Sequence, residues 1–214
     1  DLTDVLEPER LAVIINCYLS EMASIALDCG GTIDKFIGDA VLVFFGDPES
    51  EGEAEDALKC VEMAIRMQQR VSELQDYWKK QGAPQEIQVR MGIATGYCTV
   101  GNFGSEDRLD YTVIGSQVNL AARLEAIAKP GSILISFDTH SQVSGEIQCA
   151  ELDRVSVKGI RENVRTFQVL LEQEKEQNIE QIETKNIKLI ADVDQIELSD
   201  IEQLEKFIKR VKMN

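Results

Sequence analysis

Two pairs of polar residues in this sequence have the side chains and the spacing of a site for a phosphorylated ligand. Asn119 and Arg123 are four positions apart in a segment of helical periodicity, so they share one helix face. An amide and a guanidinium presented together can bind phosphate or sugar oxygens. Lys35 and Asp39 are also four positions apart, and a strand followed by a turn would leave them near one end of a hairpin. In isolation each pair also fits an ordinary solvated surface, so spacing alone does not identify an enzyme.

Composition narrows the classes of protein and of partner. Apolar residues make up 43% and charged residues 28% of the 214 positions, which is typical of a globular chain. The formal net charge of -16 would repel a phosphate backbone, so nucleic acid is not expected as a partner. No run of 18 apolar residues and no signal-like start is present, which predicts a cytoplasmic protein, although an upstream region could tether it to a membrane. The five scattered cysteines predict reduced thiols rather than a disulfide framework.

The elements that must position these residues begin with a helix over 8–28, where proline suits the first turn and apolar residues recur at helical spacing. Residues 32–36 and 40–45 are β-rich runs that flank Gly38-Asp39, a two-residue connection suited to a hairpin. A long amphipathic helix is predicted over 52–80. Asp39 is therefore expected in a tight turn, with Lys35 on the strand before it.

The second half of the chain predicts another hairpin and a further helix. An apolar alternation over 87–95 continues to Val100, and residues 111–114 form a short strand after a polar turn. Ser116 is predicted to be the N-cap of a helix that carries Asn119 and Arg123 and stops before Pro130. Further strands are expected at 133–136, 151–157 and 166–171. This order of elements predicts an α+β sandwich, one mixed and mostly antiparallel sheet with helices packed on it, as in a ferredoxin-like core.

Three ordered motifs carry a resemblance to a known family. They are GGTIDKFIGDAVLVFFG, GIATGYCTVGNFGSEDRLDYTVIGSQVNLAARLE and SVKGIRENVRTFQVL. Together they resemble the class III adenylate and guanylate cyclase catalytic domain almost continuously from about Leu2 to Leu171. The resemblance implies the nucleotide cyclase fold over residues 1–171. After Leu171 the sequence becomes rich in Glu, Gln and Lys with a helical apolar spacing over 199–211, which predicts an acidic, partly helical C-terminal extension over 172–214. The resemblance also implies an adenylate cyclase, which converts ATP to 3′,5′-cyclic AMP and pyrophosphate with two Mg²⁺ or Mn²⁺ ions.

The resemblance assigns a role to each matching position. Asp39 corresponds to the second of the two metal-binding aspartates of the family. Lys35 and Thr112 correspond to the residues that recognise the purine, and this combination favours ATP and resembles the bicarbonate-responsive subgroup. Asn119 and Arg123 correspond to the pair that orients the ribose and stabilises the α-phosphate, which makes them the expected catalytic residues. Lys158 corresponds to a lysine that contacts the terminal phosphates in some members.

In the family the site forms across the interface of a dimer, so a head-to-tail homodimer with two equivalent sites is expected. The first metal aspartate lies on an opening strand that precedes the helix start, which places it upstream of Asp1. We therefore expect a piece of a longer protein, with a sensor or regulatory domain upstream. A sheet without its opening strand exposes backbone groups, so the piece alone is expected to be inactive. Residues 189–193 resemble the absent strand and offer a weaker alternative for its place.

Other functions remain open at this point. The single metal aspartate in view would also suit a non-catalytic nucleotide-binding or regulatory module. Thr112 is less diagnostic than an aspartate would be, which leaves guanylate cyclase as a narrower alternative. A diguanylate cyclase or polymerase-palm relative would share a similar sheet, but Gly38-Asp39-Ala40 is not the turn of those proteins.

Overall fold

The computed structural model describes residues 5–105, 107–152, 164–171, 179–183 and 188–192, together with residues 204 and 208. The chain forms two compact units, Asp1–Val169 and Leu170–Asn214. The helices of the first unit are α1 (Pro8–Asp28), α2 (Glu53–Glu73), α3 (Gln75–Lys80), α4 (Ser116–Ile127) and α5 (Phe137–Val143). Its strands are β1 (Thr32–Ile37), β2 (Ala40–Phe44), β3 (Met91–Ile93), β4 (Thr99–Ser105), β5 (Arg108–Ile114), β6 (Ile133–Ser136), β7 (Cys149–Glu151) and β8 (Thr166–Val169). The second unit contains β9 (Ile179–Glu183) and β10 (Lys188–Asp192), which pair antiparallel.

The main core lies between α1 and α2 on one side and the first hairpin on the other. Helix α1 begins with Pro8 in its first turn, as predicted, and buries one face. Helix α2 begins with three acidic residues in its first turn, where the helix dipole favours negative charge. The buried residues of this core are Ile14, Met22, Ile25, Ala26, Met63, Met67, Val71, Leu74 and Trp78. The predicted helix over 52–80 is divided at Leu74, next to which the Gln75 amide both donates to and accepts from the backbone of Ile87.

Helix α1 is the one described helix that is long and apolar enough to cross a membrane by length and composition. Its apolar face is nevertheless used within the protein, since Ile14 and Met22 are each 1% exposed in the core. A core helix of a globular domain passes the same test of length and composition. Packing in the core uses only part of the apolar surface of α1, because 22% of its apolar window is buried.

The described strands pair as four sheets, three in the first unit and one in the second. Strands β1 and β2 make one antiparallel hairpin, and β4 and β5 make a second. A four-stranded sheet has the order β3-β6-β8-β7, in which β3 and β6 are parallel and the other pairs antiparallel. The α+β class with helices packed on mostly antiparallel strands is thus confirmed. Within that class, the described strands of the first unit are hydrogen-bonded as three groups rather than as one continuous sheet.

Local details depart from the prediction at two places, and two further predictions fall largely outside the described residues. Gly115, and not Ser116, occupies the N-cap of α4, with an extended backbone and no side-chain cap. Helix α5 was not predicted; its N-cap Ser136 accepts a hydrogen bond from the Thr139 amide at 3.2 Å. The predicted strand over 151–157 is seen only at its start, because residues 153–163 lie outside the described ranges. The predicted C-terminal helix is described only at Leu204 and Ile208, both helical.

Strand β3 and helix α4 are in backbone contact at Gly92. A Cβ atom at this position would lie 2.1 Å from the Ala121 carbonyl oxygen and 2.3 Å from the Glu125 amide nitrogen. Both neighbours are backbone atoms, so neither can move aside as a flexible side chain would. The glycine therefore fixes how closely α4, with Asn119 and Arg123, approaches the sheet.

Gly92→Ala is expected to lower the free energy of unfolding by about 3 kcal/mol, because the added methyl forces α4 away from β3. Urea denaturation followed by circular dichroism measures the change. Gly145→Ala is the matched control, since a Cβ there would meet no atom within 4 Å. Equal unfolding midpoints for the two variants would contradict the close approach.

Candidate functional site

The first hairpin presents Lys35 and Asp39 to solvent. Ile37 pairs with Ala40, which leaves Gly38 and Asp39 as the predicted two-residue turn. Gly38 has φ +64°, a left-handed conformation that favours glycine at the first turn position. Asp39 is exposed at the tip, and Lys35 is exposed on β1. The structure therefore confirms the turn that the sequence predicted around Asp39.

The carboxylate of Asp39 acts electrostatically on Tyr18 of α1. Burial, and secondarily the negative charge of Asp39, raises the pKa of the Tyr18 phenol to about 12. An exposed carboxylate is a suitable oxygen ligand for a hard cation such as Mg²⁺ or Mn²⁺. Among the described residues, however, no group of three or more His, Cys, Asp or Glu side chains is placed to hold a metal. Asp39 thus fits as one ligand, and the others would have to come from a phosphorylated substrate, water or a further carboxylate.

A buried carboxylate that the sequence did not single out joins the two hairpins. Asp34 is the extra residue where the register shifts between Ile33 and Lys35, as in a β-bulge. Its Oδ2 lies 3.3 Å from Nζ of Lys35, and its Oδ1 accepts a hydrogen bond from the Val113 amide of β5 at 3.3 Å. The acidic residue inside a β-rich run, directly before a candidate lysine, is the signal that could have indicated it.

A second link joins the same two hairpins. The Tyr111 hydroxyl donates a hydrogen bond to the carboxylate of Asp47, and this bond raises the pKa of Tyr111. Thr32 in turn donates to the Asp47 carbonyl oxygen at 2.7 Å. Thr112, between the two β5 residues that make these links, is buried. The structure therefore brings Lys35 and the β5 segment around Thr112 to the same place.

Helix α4 presents the predicted catalytic pair. It starts directly after β5 and is anchored by Leu124, which is fully buried with Ala128 and Leu134. Asn119 is exposed and Arg123 is half-buried. Neither side chain forms a hydrogen bond or ion pair with a described residue.

An unpaired arginine is informative in a chain of net charge -16, where carboxylates are abundant. Partly buried charges are usually paired, because desolvation is costly. Arg123 is half-buried as a residue, its guanidinium retains its donors for an external anion, and Asn119 one turn earlier offers an amide beside it.

Some predicted site residues are not brought together. Lys158 lies outside the described residues, so its position stays a prediction. No hydrogen bond or ion pair among the described residues connects Asp39 to Asn119 or Arg123. Within one copy of the chain, the metal-ligand candidate and the phosphate-binding candidate are therefore not directly linked.

Comparisons with known proteins agree on one family. Residues 2–171 match the family described as the adenylate and guanylate cyclase catalytic domain. The adenylate cyclase of Anabaena cylindrica is 34% identical over 181 residues, which cover 78% of this chain and 34% of the relative. Adenylate cyclase 1 of Rhizobium meliloti is 30% identical over 165 residues, covering 74% of this chain and 24% of the relative. The chain thus spans about a third or less of these two relatives.

Solved structures give the same result. The adenylyl cyclase CyaB from P. aeruginosa is 49% identical, with a TM-score of 0.77, and the match covers 78% of this chain and 86% of that one. The guanylyl cyclase Cya2 is 35% identical, with a TM-score of 0.74, and the match covers 79% of this chain and 85% of that one. The similar structures therefore include both an adenylyl cyclase and a guanylyl cyclase.

Proposed function

The chain belongs to the adenylate and guanylate cyclase catalytic domain family, and from this premise we propose that it is an adenylate cyclase forming 3′,5′-cyclic AMP and pyrophosphate from ATP. The observation that carries the choice of ATP is the ion pair of Lys35 with Asp34, whose other oxygen binds β5 next to Thr112. An ammonium donates to adenine N1, and a hydroxyl accepts from the adenine amino group. Guanine presents the opposite donor and acceptor pattern at these two atoms.

Arg123 and Asn119 act on the sugar and phosphate. The Arg123 guanidinium has no partner among the described residues and supplies positive charge where negative charge grows on the α-phosphate as the bond to pyrophosphate breaks. Asn119, one helical turn earlier, orients the ribose so that its 3′-oxygen attacks in line. Lys158 is proposed to contact the terminal phosphates.

Asp39 is proposed as a ligand of Mg²⁺ or Mn²⁺, together with a second aspartate located upstream of Asp1. Two bound ions would supply Lewis acidity toward the ribose 3′-hydroxyl and the triphosphate. The exposed tip of the first hairpin leaves the Asp39 carboxylate accessible to substrate and ion alike.

The active form is proposed to be a head-to-tail homodimer. Large apolar side chains are exposed on both linked hairpins, at Phe36 and Ile37 of β1 and at Leu109 and Ile114 of β5. Exposed apolar side chains on neighbouring hairpins are candidates for an interface with a second copy. A second copy would bring its own Asp39 to the Arg123 that this copy leaves unpaired, which two-fold symmetry repeats at a second site.

The remaining expectations concern the whole protein. We propose that residues 1–171 form the catalytic domain and that residues 172–214 are an extension to it. A cytoplasmic location and an upstream regulatory domain are also proposals. The curated relatives leave room for such a domain, since they are about three or more times longer than the matched segment.

The direct test incubates the full-length protein with ATP or GTP and Mg²⁺ or Mn²⁺, and measures cyclic AMP and cyclic GMP. We expect cyclic AMP as the main product. The guanylyl cyclase Cya2 among the similar structures favours cyclic GMP as the second candidate. No cyclic product with either nucleotide would instead favour a non-catalytic nucleotide-binding module.

Lys35→Glu is expected to change the ATP-to-GTP ratio of kcat/KM by about 10²-fold in favour of GTP, because a carboxylate accepts where the ammonium donates. Competition between the two nucleotides measures the ratio. Lys79→Glu, at an exposed lysine of α3, is the matched control for the charge change. An unchanged ratio in Lys35→Glu would refute the base assignment.

Stimulation by bicarbonate is a further proposal, which rests on Thr112 alone. We expect the rate of the full-length protein to rise with bicarbonate concentration at constant pH. A flat dose response would remove this subgroup assignment and leave the cyclase assignment in place.

A further inference from the structure

The carboxylate of Asp34 is the most deeply buried charged group beside the candidate purine site. Its side chain is 0% exposed, whereas the side chain of its partner Lys35 is 44% exposed. The Oδ2 atom accepts no hydrogen bond from a described residue, so the Lys35 ammonium at 3.3 Å is its compensating charge. A buried carboxylate is costly unless it is paired, which means that this contact strongly restrains Lys35.

We propose that Asp34 is a positioning residue that sets purine selectivity by fixing the Lys35 ammonium against β5. The inference rests on the proposed function, since it concerns how the same site recognises adenine. One carboxylate oxygen holds Lys35, and the other holds the Val113 amide next to Thr112. The Asp34 carboxylate therefore positions both residues assigned to the purine, since it contacts Lys35 directly and Thr112 through the neighbouring Val113 amide.

The chemistry of lysine permits this double use. An ammonium has three donors, so its charge can stay beside the Asp34 carboxylate while one donor serves adenine N1. The four-carbon stem is flexible, and leaving it free would add an ordering cost to each binding event. A pre-formed ion pair removes most of that cost before the nucleotide arrives. The bulge at Asp34 turns this side chain inward, while Lys35 remains exposed to solvent.

The variant Asp34→Asn distinguishes a role in positioning Lys35 from a purely structural role in holding the two hairpins together. The amide oxygen of asparagine can still accept from the Val113 amide, so the link to β5 is retained. The charge that restrains Lys35 is lost. A purely structural role therefore predicts nearly unchanged selectivity, and a positioning role predicts a selective loss of adenine binding.

The experiment measures equilibrium binding of α,β-methylene-ATP and α,β-methylene-GTP to the full-length protein, alongside kcat and KM for ATP. Asp34→Asn is expected to weaken binding of the ATP analogue about tenfold and that of the GTP analogue far less. KM for ATP should rise by a similar factor, with a smaller change in kcat. Glu21→Gln is the control, because it breaks the ion pair with Arg70 between α1 and α2.

A double-mutant cycle tests whether Asp34 acts through Lys35. In a Lys35→Ala background, Asp34→Asn is expected to cause no further change in the ratio of the two affinities. If Asp34→Asn does not fold, Asp34→Glu is measured in its place: it keeps the charge but moves it by one methylene, so Lys35 is displaced and binding of the ATP analogue should still weaken relative to that of the GTP analogue. An unchanged ratio in the folded variant, or additive effects in the cycle, would overturn the inference.

The two proposals fail in different ways. A wild-type protein that binds the ATP analogue but forms no cyclic AMP would refute the proposed activity and leave the role of Asp34 measurable by binding. A wild-type protein that cyclises ATP, with a ratio unaffected by Asp34→Asn, would refute only the role of Asp34. A wild-type protein that binds neither the ATP analogue nor the GTP analogue would overturn both the proposed activity and the role of Asp34.

Discussion

Arg123→Ala is expected to lower kcat for ATP cyclisation by about 10³-fold, with a much smaller change in KM. Arg123 is a half-buried residue of α4, and its guanidinium pairs with no described carboxylate in a chain of net charge -16. Its charge is therefore available to the α-phosphate, where negative charge develops as the bond to pyrophosphate breaks. Interactions that strengthen only in the transition state affect kcat more than KM.

The same variant should fold normally. The buried side of α4 depends on Leu124 and on the close approach of Gly92, and neither contact involves Arg123. Steady-state rates with saturating ATP and Mn²⁺, together with the thermal midpoint, separate activity from stability. Arg66→Ala, which removes an exposed arginine of α2, is the control. Residual activity of Arg123→Ala within threefold of wild type would exclude a catalytic role.

Asp39→Asn is expected to lower the rate by about 10²-fold or more at physiological Mg²⁺, because a neutral amide binds a divalent cation more weakly than a carboxylate does. Excess Mn²⁺ should recover part of the activity, whereas excess ATP should not. The measurement is the rate as a function of metal concentration. Asp76→Asn, at an exposed acid of α3, is the control.

A second readout of Asp39→Asn does not depend on activity. The charge of Asp39 contributes to the raised pKa of Tyr18, so its removal should lower that pKa, although burial keeps it above the ordinary value. Spectrophotometric titration of the phenol follows the change.

An unaltered metal dependence of Asp39→Asn together with wild-type activity would show that Asp39 is not a metal ligand.

Features set by local sequence could be predicted closely. The bounds of α1 match those expected, because Pro8 and the two glycines after Cys29 mark its ends and apolar residues recur between them. The Gly38-Asp39 turn is likewise local, since glycine at the first position permits the conformation that the hairpin needs.

Features that depend on tertiary contact could not be predicted. The role of Asp34 arises from a bulge in β1 and from the approach of β5, whose Val113 lies 79 positions away in the sequence. Helix α5 has only seven residues, too few for a clear apolar period. The division of the strands into separate sheets also depends on pairings between distant segments.

The candidate site follows the same division. That Asn119 and Arg123 share a helix face was predictable from their spacing, but the lack of a described partner for Arg123 could be learned only from the structure. The roles of these residues came from the family resemblance, because an exposed helix with an amide and an arginine is commonplace.

We propose that each site takes Asp39 from one copy and Arg123 from the other. Mixing Asp39→Asn with Arg123→Ala, each nearly inactive alone, tests it most directly by the rate of cyclic AMP formation after the subunits exchange. Random pairing makes half of the dimers mixed, and each mixed dimer holds one intact site of two, so about a quarter of the wild-type rate should return. A mixture no more active than its separate components would contradict a shared site.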